Sequence, residues 1–182
     1  MRLELAQCVV RSWEFTDAAS VPAHANNRRI WLNLRDRFPH PYSISDSERF
    51  IRYVRGSAVE TNFAIEVDGE AAGGIGFMPH QDVERISAEI GYWLGERHWG
   101  RGICTETLVA VTHYVLAQHE LTRIYALPFA HNLASCRVLE KAGYMLEGTM
   151  RRSAIKDGQV CDQRLYAFVP PPPHTELLRT SP

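Results

Sequence analysis

Hydrophobic and polar positions change period several times along the chain, and each change marks an element. Residues 7–10, Gln-Cys-Val-Val, read as a first short strand. Thr16-Asp17 offers an N-cap for a helix to about residue 25, and a second helical run over 28–36 sets Ile30, Trp31 and Leu34 on one side. Phe38-Pro39-His40-Pro41-Tyr42 then imposes an extended loop, because a residue before proline is held out of the helical region. Ser45-Asp46-Ser47-Glu48 fits a capping box and opens a helix to about residue 55.

The period then falls to two. Residues 63–67 alternate, Asp68-Gly69 turns, and 72–78 run back as the second strand of a hairpin. Gly73, Gly74 and Gly76 weaken that strand unless a close approach requires them. A turn near Asp82 leads into a strand over 86–94. A helix after Gly100 reaches about residue 119, with Leu108, Val111 and Val115 at helical spacing, and residues 123–129 read as a strand. Asn132 caps a helix over 133–142, closed by Gly143, and strands over 145–155 and 161–169 meet at Asp157-Gly158. The order is β, two or three helices, three antiparallel strands, α, β, α, β, β. It predicts a mixed α+β fold, a central sheet with helices on its faces.

A chain of 182 residues with 45% hydrophobic content suits one domain, placed at 1–169. Pro170 to Pro173 cannot join a central strand, so 170–182 is expected to be a proline-rich tail. The formal net charge is −1, from 20 basic and 21 acidic residues, which points to no nucleic-acid or membrane surface. Arg28-Arg29 and Arg151-Arg152 are local pairs, either near an anionic ligand or simply solvated. Cys8, Cys104, Cys136 and Cys161 form no C-x-x-C pair and have no histidine at metal-ligand spacing; no metal is expected. They read as small buried hydrophobes in a reducing compartment, and no secretory pattern opens the chain, so a cytoplasmic protein is expected.

The chemistry concentrates in two segments. Arg97-His98-Trp99-Gly100-Arg101-Gly102 joins a strand to a helix. The first amides of a helix have no internal partners and its dipole favours negative charge there. Gly100 and Gly102 clear the approach and Arg97 and Arg101 add cationic help, so the turn suits a diphosphate. A Walker loop and a G-x-G-x-x-G fingerprint are both absent here, which argues against an NAD-type oxidoreductase. The second segment is Asn132-Leu133-Ala134-Ser135-Cys136-Arg137-Val138-Leu139-Glu140-Lys141-Ala142-Gly143-Tyr144.

Together these segments resemble the GNAT acetyltransferase superfamily, and within it the Rim-type branch of N-terminal protein acetyltransferases and their small-molecule-modifying relatives. Arg97, Gly100 and Gly102 match the family turn. Residues 90–94 and 99–106 match the branch pattern around it, and Asn132 to Tyr144 matches the N-x-x-S-x-R-V-L-E-K-x-G-Y/F pattern. The likeness extends over about 3–169.

The resemblance implies a mostly antiparallel twisted sheet, splayed between the strands before and after the CoA-binding helix, with acetyl-CoA as cosubstrate. The pantetheine arm would add to the splayed edge like a strand. Contacts are implied for Tyr92, Trp93, Leu94, Arg97, His98, Trp99, Gly100, Arg101, Gly102, Ile103, Thr105, Asn132 and Ser135. A backbone amide near residues 92–94 would hold the oxyanion.

The implied reaction is direct attack by a primary amine, either a protein N-terminus or a small molecule, on the thioester. Glu89 is the candidate base, with Glu66 and Glu84 weaker; Glu89 could equally be a solvent-facing strand residue. Many relatives carry a tyrosine acid seven residues after the capping asparagine, where this chain has Leu139; Ser135 is the replacement candidate, or an N-terminal cap. The carboxylate that some relatives carry after the Glu-Gly pair is missing from Arg151-Arg152-Ser153-Ala154. Trp31, Phe38, His40 and Tyr42 either line the acceptor pocket or belong to the core. Loss of the tyrosine keeps a second reading open, an acyl-CoA sensor without transferase activity. Monomer and homodimer are both compatible with the sequence.

Overall fold

In the computed structural model, residues 1–171 are described; most of the expected proline-rich tail lies outside them. The strands are β1 (Arg2–Glu4), β2 (Val9–Ser12), β3 (Asn62–Val67), β4 (Glu70–Pro79), β5 (Ser87–Leu94), β6 (Arg123–Ala126), β7 (Met145–Lys156) and β8 (Gln159–Phe168). The helices are α1 (Val21–Ala25), α2 (Arg28–Trp31), α3 (Ile44–Arg55), α4 (Ile103–Gln118) and α5 (Leu133–Lys141). The strands form one sheet in the order β1-β2-β3-β4-β5-β6-β8-β7. Every neighbouring pair is antiparallel except β5 and β6, which run parallel. This is the open, mostly antiparallel sheet that the resemblance implies.

Alternation along β5 feeds two separate cores, as a period of two requires. Ile90 and Leu94 pack into a larger cluster with Leu108 and Val111 of α4 and Leu139 of α5. Trp93 points the other way and packs against a smaller cluster with Trp13, Val21, Tyr42 and Ile51. The glycines of β4 serve close approach. A Cβ at Gly73 would lie 2.5 Å from the Trp93 carbonyl oxygen, and one at Gly74 would lie 2.8 Å from the Trp93 indole nitrogen.

Several local readings change. The helix expected from Thr16 is a 3₁₀ turn, Phe15–Ala19, followed by α1. Pro22, at the second position of α1, has no amide to continue a helix from the preceding turn. Asp17, not Thr16, organises this start: its carboxylate accepts the Glu14 amide at 2.8 Å and two Arg11 bonds at 2.7 and 2.8 Å. The run expected over 28–36 is one turn. Asn27 caps it, and Asn33 Nδ2 donates to the Arg29 carbonyl at 2.9 Å, a side-chain bond that competes with helix propagation. The capping box of α3 is Ser43 with Asp46, two residues earlier than expected. The strand expected over 123–129 stops at Ala126, because Pro128 lacks the amide a ladder needs. The three-residue β1 was not expected at all; it is too short to show a period. Among the described residues no helix is long and apolar enough to cross a membrane.

The consequential feature is a parting in the sheet. β5 and β6 pair only at Ser87↔Arg123, Ala88↔Ile124 and Glu89↔Tyr125. β5 continues to Leu94 along β4, while β6 ends at Ala126 and pairs with β8 on its other side. Residues 90–94 therefore keep one edge open. In an antiparallel ladder every second residue turns its N–H and C=O away from the partner, so this edge presents unpaired backbone groups inside the fold.

Candidate active site

The open edge runs into the Gly-rich turn. After Leu94 the chain makes a short 3₁₀ turn, Glu96–His98, and reaches α4 through two glycines with positive φ, Gly100 at 75° and Gly102 at 87°. That conformation is nearly free for glycine and strained for other residues. The backbone amides of 100–105 find no acceptor among the described residues. They gather at the positive end of a 16-residue helix, the arrangement that binds phosphate. The N-terminal segment wraps this turn: Gln7 Nε2 donates to the Arg101 carbonyl at 2.8 Å, and Glu106 accepts the Ala6 amide at 2.7 Å.

The arginines behave differently from expectation. Arg97 braces the turn from behind. Its guanidinium donates to Glu70 at 2.5 Å and lies 3.1 Å from His24 Nε2, and its Nε lies 3.0 Å from His98 Nε2. Arg101 NH1 approaches His98 Nδ1 at 3.1 Å. A neutral imidazole has one acceptor nitrogen, so His98 serves one arginine at a time. Trp99 donates from Nε1 to the Leu94 carbonyl at 2.7 Å, and the Arg29 guanidinium lies 5.1 Å above its ring.

Burial lowers the pKa of His24, with Arg97 adding to it and Glu70 opposing. Burial also lowers that of His98, helped by Arg97, His24 and Arg101. The two rings stack at 5.7 Å. Between the depressed native values and an ordinary value near 6.5 the unfolded chain binds more protons, so stability rises with pH there. We expect full stability from these groups above about pH 6.5 and a progressive loss as pH falls below it. Melting temperatures from pH 7.5 to 5 test this: His98→Gln should flatten the profile, and an unchanged slope in His24→Gln/His98→Gln would assign the loss elsewhere.

Across the opening stands the start of α5. Asn132 Oδ1 accepts the Ser135 amide at 3.2 Å, so the N-cap role is real, and the side-chain amide remains as a donor. Ser135 lies on the first turn. Its Oγ is 2.9 Å from the Tyr92 hydroxyl, which also lies 3.3 Å from the Ser135 carbonyl oxygen. Burial raises the pKa of the Tyr92 phenol well above its ordinary range, with the Ser135 hydrogen bond opposing. Leu139 is wholly buried in the larger core.

Glu89 sits where β5 and β6 last pair, opposite Tyr125. Its carboxylate is paired with Arg35, from the loop after α2. Tyr125 in turn contacts His80 Nε2 at 2.8 Å. Glu66 is engaged by Arg11 on β2, and Glu84 is exposed on a turn. Arg35 also lines a cavity of about 350 Å³ with Asn33, Leu34, Asp36, Leu127, Phe129, Ala154, Ile155, Lys156 and Gln163.

The four aromatic pocket candidates divide. Tyr42 is 6% exposed and Phe38 packs beside it and Trp93, so both belong to the smaller core. Trp31 is half-buried, with His40 stacked on it at 5.7 Å and the Lys156 ammonium 3.8 Å from its ring centroid. Lys156 also donates to Asp36 at 2.8 Å, and the neighbouring Asp157 holds Arg28. The tip of the β7–β8 hairpin is thus tied to α2 and its loop, and Ala154 lines the cavity. The roles of His24, Glu70, Arg35 and Lys156 had no local signal; their partners lie 27 to 120 residues away.

The family profile described as "Acetyltransferase (GNAT) domain" matches residues 7–145. The chain is 36% identical over 102 residues to the uncharacterized N-acetyltransferase YoaA of Bacillus subtilis, covering 56% of this chain and 57% of that protein. It is 33% identical over 107 residues to the ribosomal-protein-serine acetyltransferase of Escherichia coli, covering 59% of each. The matches thus span less than two thirds of these curated relatives. RimJ of Mycobacterium smegmatis, solved in complex with CoA-disulfide, superposes with a TM-score of 0.79 at 25% identity, covering 89% of this chain and 81% of that one. The parted strands, the glycine-rich turn and the profile match agree: this chain belongs to the GNAT acetyltransferase family.

Proposed function

We propose that this chain transfers an acetyl group from acetyl-CoA to the α-amine at a peptide N-terminus, by direct attack on the thioester. The observation that carries the reading is the junction of two features. The unpaired edge of residues 90–94 leads straight into the turn whose amides, from 100 to 105, lack acceptors. An extended, amide-bearing arm attached to a diphosphate is the ligand chemistry that satisfies both. Asn132 Nδ2 would add a donor to that arm, and a backbone N–H of β5 facing the opening would hold the oxyanion.

Glu89 is the base in this reading. An α-amine, with a pKa near 8, is deprotonated at neutral pH far more easily than a lysine side chain near 10.4. A carboxylate of modest basicity can then take the second proton, directly or through water. The cavity beside Arg35 has apolar walls from Leu34, Leu127, Phe129 and Ile155 and a polar rim. These walls suit the first side chains of an extended peptide end. The Escherichia coli relative, named for a ribosomal-protein serine, agrees with this acceptor class.

Gly102→Val should weaken acetyl-CoA binding at least about tenfold, since a β-branched residue is strained at positive φ and covers the amides. Isothermal titration with acetyl-CoA checks this. Turnover is tested by thiol release with acetyl-CoA, a serine-initiated peptide and a polyamine. Tight donor binding with no thiol release from any amine would instead favour an acyl-CoA sensor, the reading that the buried Leu139 keeps in view.

A further inference from the structure

Tyr92 has so far been only a backbone contributor, yet its hydroxyl reaches across the parting in the sheet to Ser135. We infer that Tyr92 is a positioning residue for the leaving group: its hydroxyl donates to Ser135 Oγ, and so turns the serine's own proton toward the thioester sulfur. This rests on the acetyl-transfer reading and deepens it.

Two hydrogen-bond patterns are open to the pair. In one, Ser135 donates to Tyr92 and the phenol donates to the Ser135 carbonyl, which leaves no proton for a ligand. In the other, Tyr92 donates to Ser135 Oγ and the serine proton is free. The 2.9 Å contact is compatible with either direction; Oγ is the nearer acceptor for the phenol proton, the carbonyl oxygen being 3.3 Å away, and the second pattern is the one we infer. Asn132 takes the Ser135 amide, so the first turn of α5 is held while the hydroxyl orients. The alternative phenol position on α5 is closed, because Leu139 is sealed in the core.

The chemistry balances without ionising Tyr92. The amine nitrogen bonds to the thioester carbon, and the carbon–sulfur bond breaks with its electron pair leaving on sulfur. Glu89 takes the proton lost by the amine. The departing thiolate accepts a hydrogen bond from Ser135, backed by Tyr92, and takes its proton from water as CoA leaves. Hydrogen bonds to a charged acceptor are about twice as strong as neutral ones, so the pair acts when charge develops on sulfur. Burial keeps the phenol protonated, which suits a donor and excludes a phenolate. The ionisable groups around it are Cys104 of α4, Tyr144 before β7 and Cys136 of α5. Burial pushes the Cys104 thiol up to about 12 and raises Tyr144 as well.

The test needs no acceptor. The thiol pKa of enzyme-bound CoA is read from thiolate absorbance against pH, with the complex of desulfo-CoA subtracted to remove the protein's own cysteines. The wild type should lower the bound thiol pKa by about one unit relative to free CoA, the scale of a single charge-assisted bond. Tyr92→Phe and Ser135→Ala should each return it to the free value, and the double variant should add nothing further. Ser135→Thr should retain the shift. A bound thiol that titrates alike in the wild type and Tyr92→Phe overturns the inference and leaves Tyr92 a structural residue. Failure of the wild type to bind CoA at all overturns the acetyl-transfer reading, and this inference with it.

Discussion

Glu89→Gln should lower kcat at least about a hundredfold, the lower end of what a positioned general base contributes, with little change in acetyl-CoA affinity. The amide keeps the shape and the hydrogen bond toward Arg35 but cannot take a proton. Glu66→Gln is the comparison. Glu66 lies on β3, held by Arg11, and its loss should reduce stability without changing the rate in this way. Initial rates with acetyl-CoA and a serine-initiated peptide decide it. Equal rates in Glu89→Gln and wild type would remove the base role and leave Glu89 as the anchor of Arg35.

Gly73→Val is the second substitution with a large expected effect. Its Cβ would lie 2.5 Å from the Trp93 carbonyl oxygen and 3.2 Å from the Leu94 Cα, both backbone atoms that no rotamer change can move aside. Overpacking of this kind costs about 3 kcal/mol or more. In a domain of this size that corresponds to a fall in melting temperature of about 10 °C. Because the displaced backbone is the end of β5, donor affinity should fall with it. Gly148→Ala is the control, since a Cβ there meets nothing within 4 Å; it should stay within about 0.5 kcal/mol of the wild type. A melting temperature for Gly73→Val equal to the control would mean that β4 and β5 can separate without cost.

Both effects depend on how β5 is gripped on one side and free on the other. That grip was partly readable before any coordinates. The alternation of β3 and β5, the hairpin turn at Asp68-Gly69, the Asn132 cap and the Gly143 stop are local signals, and they appear where periodicity and capping put them. The glycines of β4 announced a close approach, though not that Trp93 was what approached. Local signals failed where a nearby side chain outbid them. Asp17 was drawn away from a simple helix start by Arg11, and the run after Asn27 was stopped at one turn by Asn33. The strand expected over 123–129 ends at Ala126, short of Pro128, which has no amide for a ladder.

The glycine-rich turn from Arg97 to Gly102 and the Asn132 cap of α5 were determined by the sequence itself, because such a turn and a helix cap are built from neighbouring residues whose spacing is the geometry. The order of the strands' patterns likewise determined an α+β sheet. Only the tertiary structure decided that Arg97 is engaged by Glu70 and His24, that Arg35 holds Glu89, and that Lys156 and Asp36 fasten the β7–β8 hairpin beside the cavity that Arg35 lines. It also brought the Tyr92 hydroxyl to Ser135, 43 residues away. These are contacts between side chains from different elements, so they depend on how the sheet parts and on which face each residue turns, and no period along the chain encodes either.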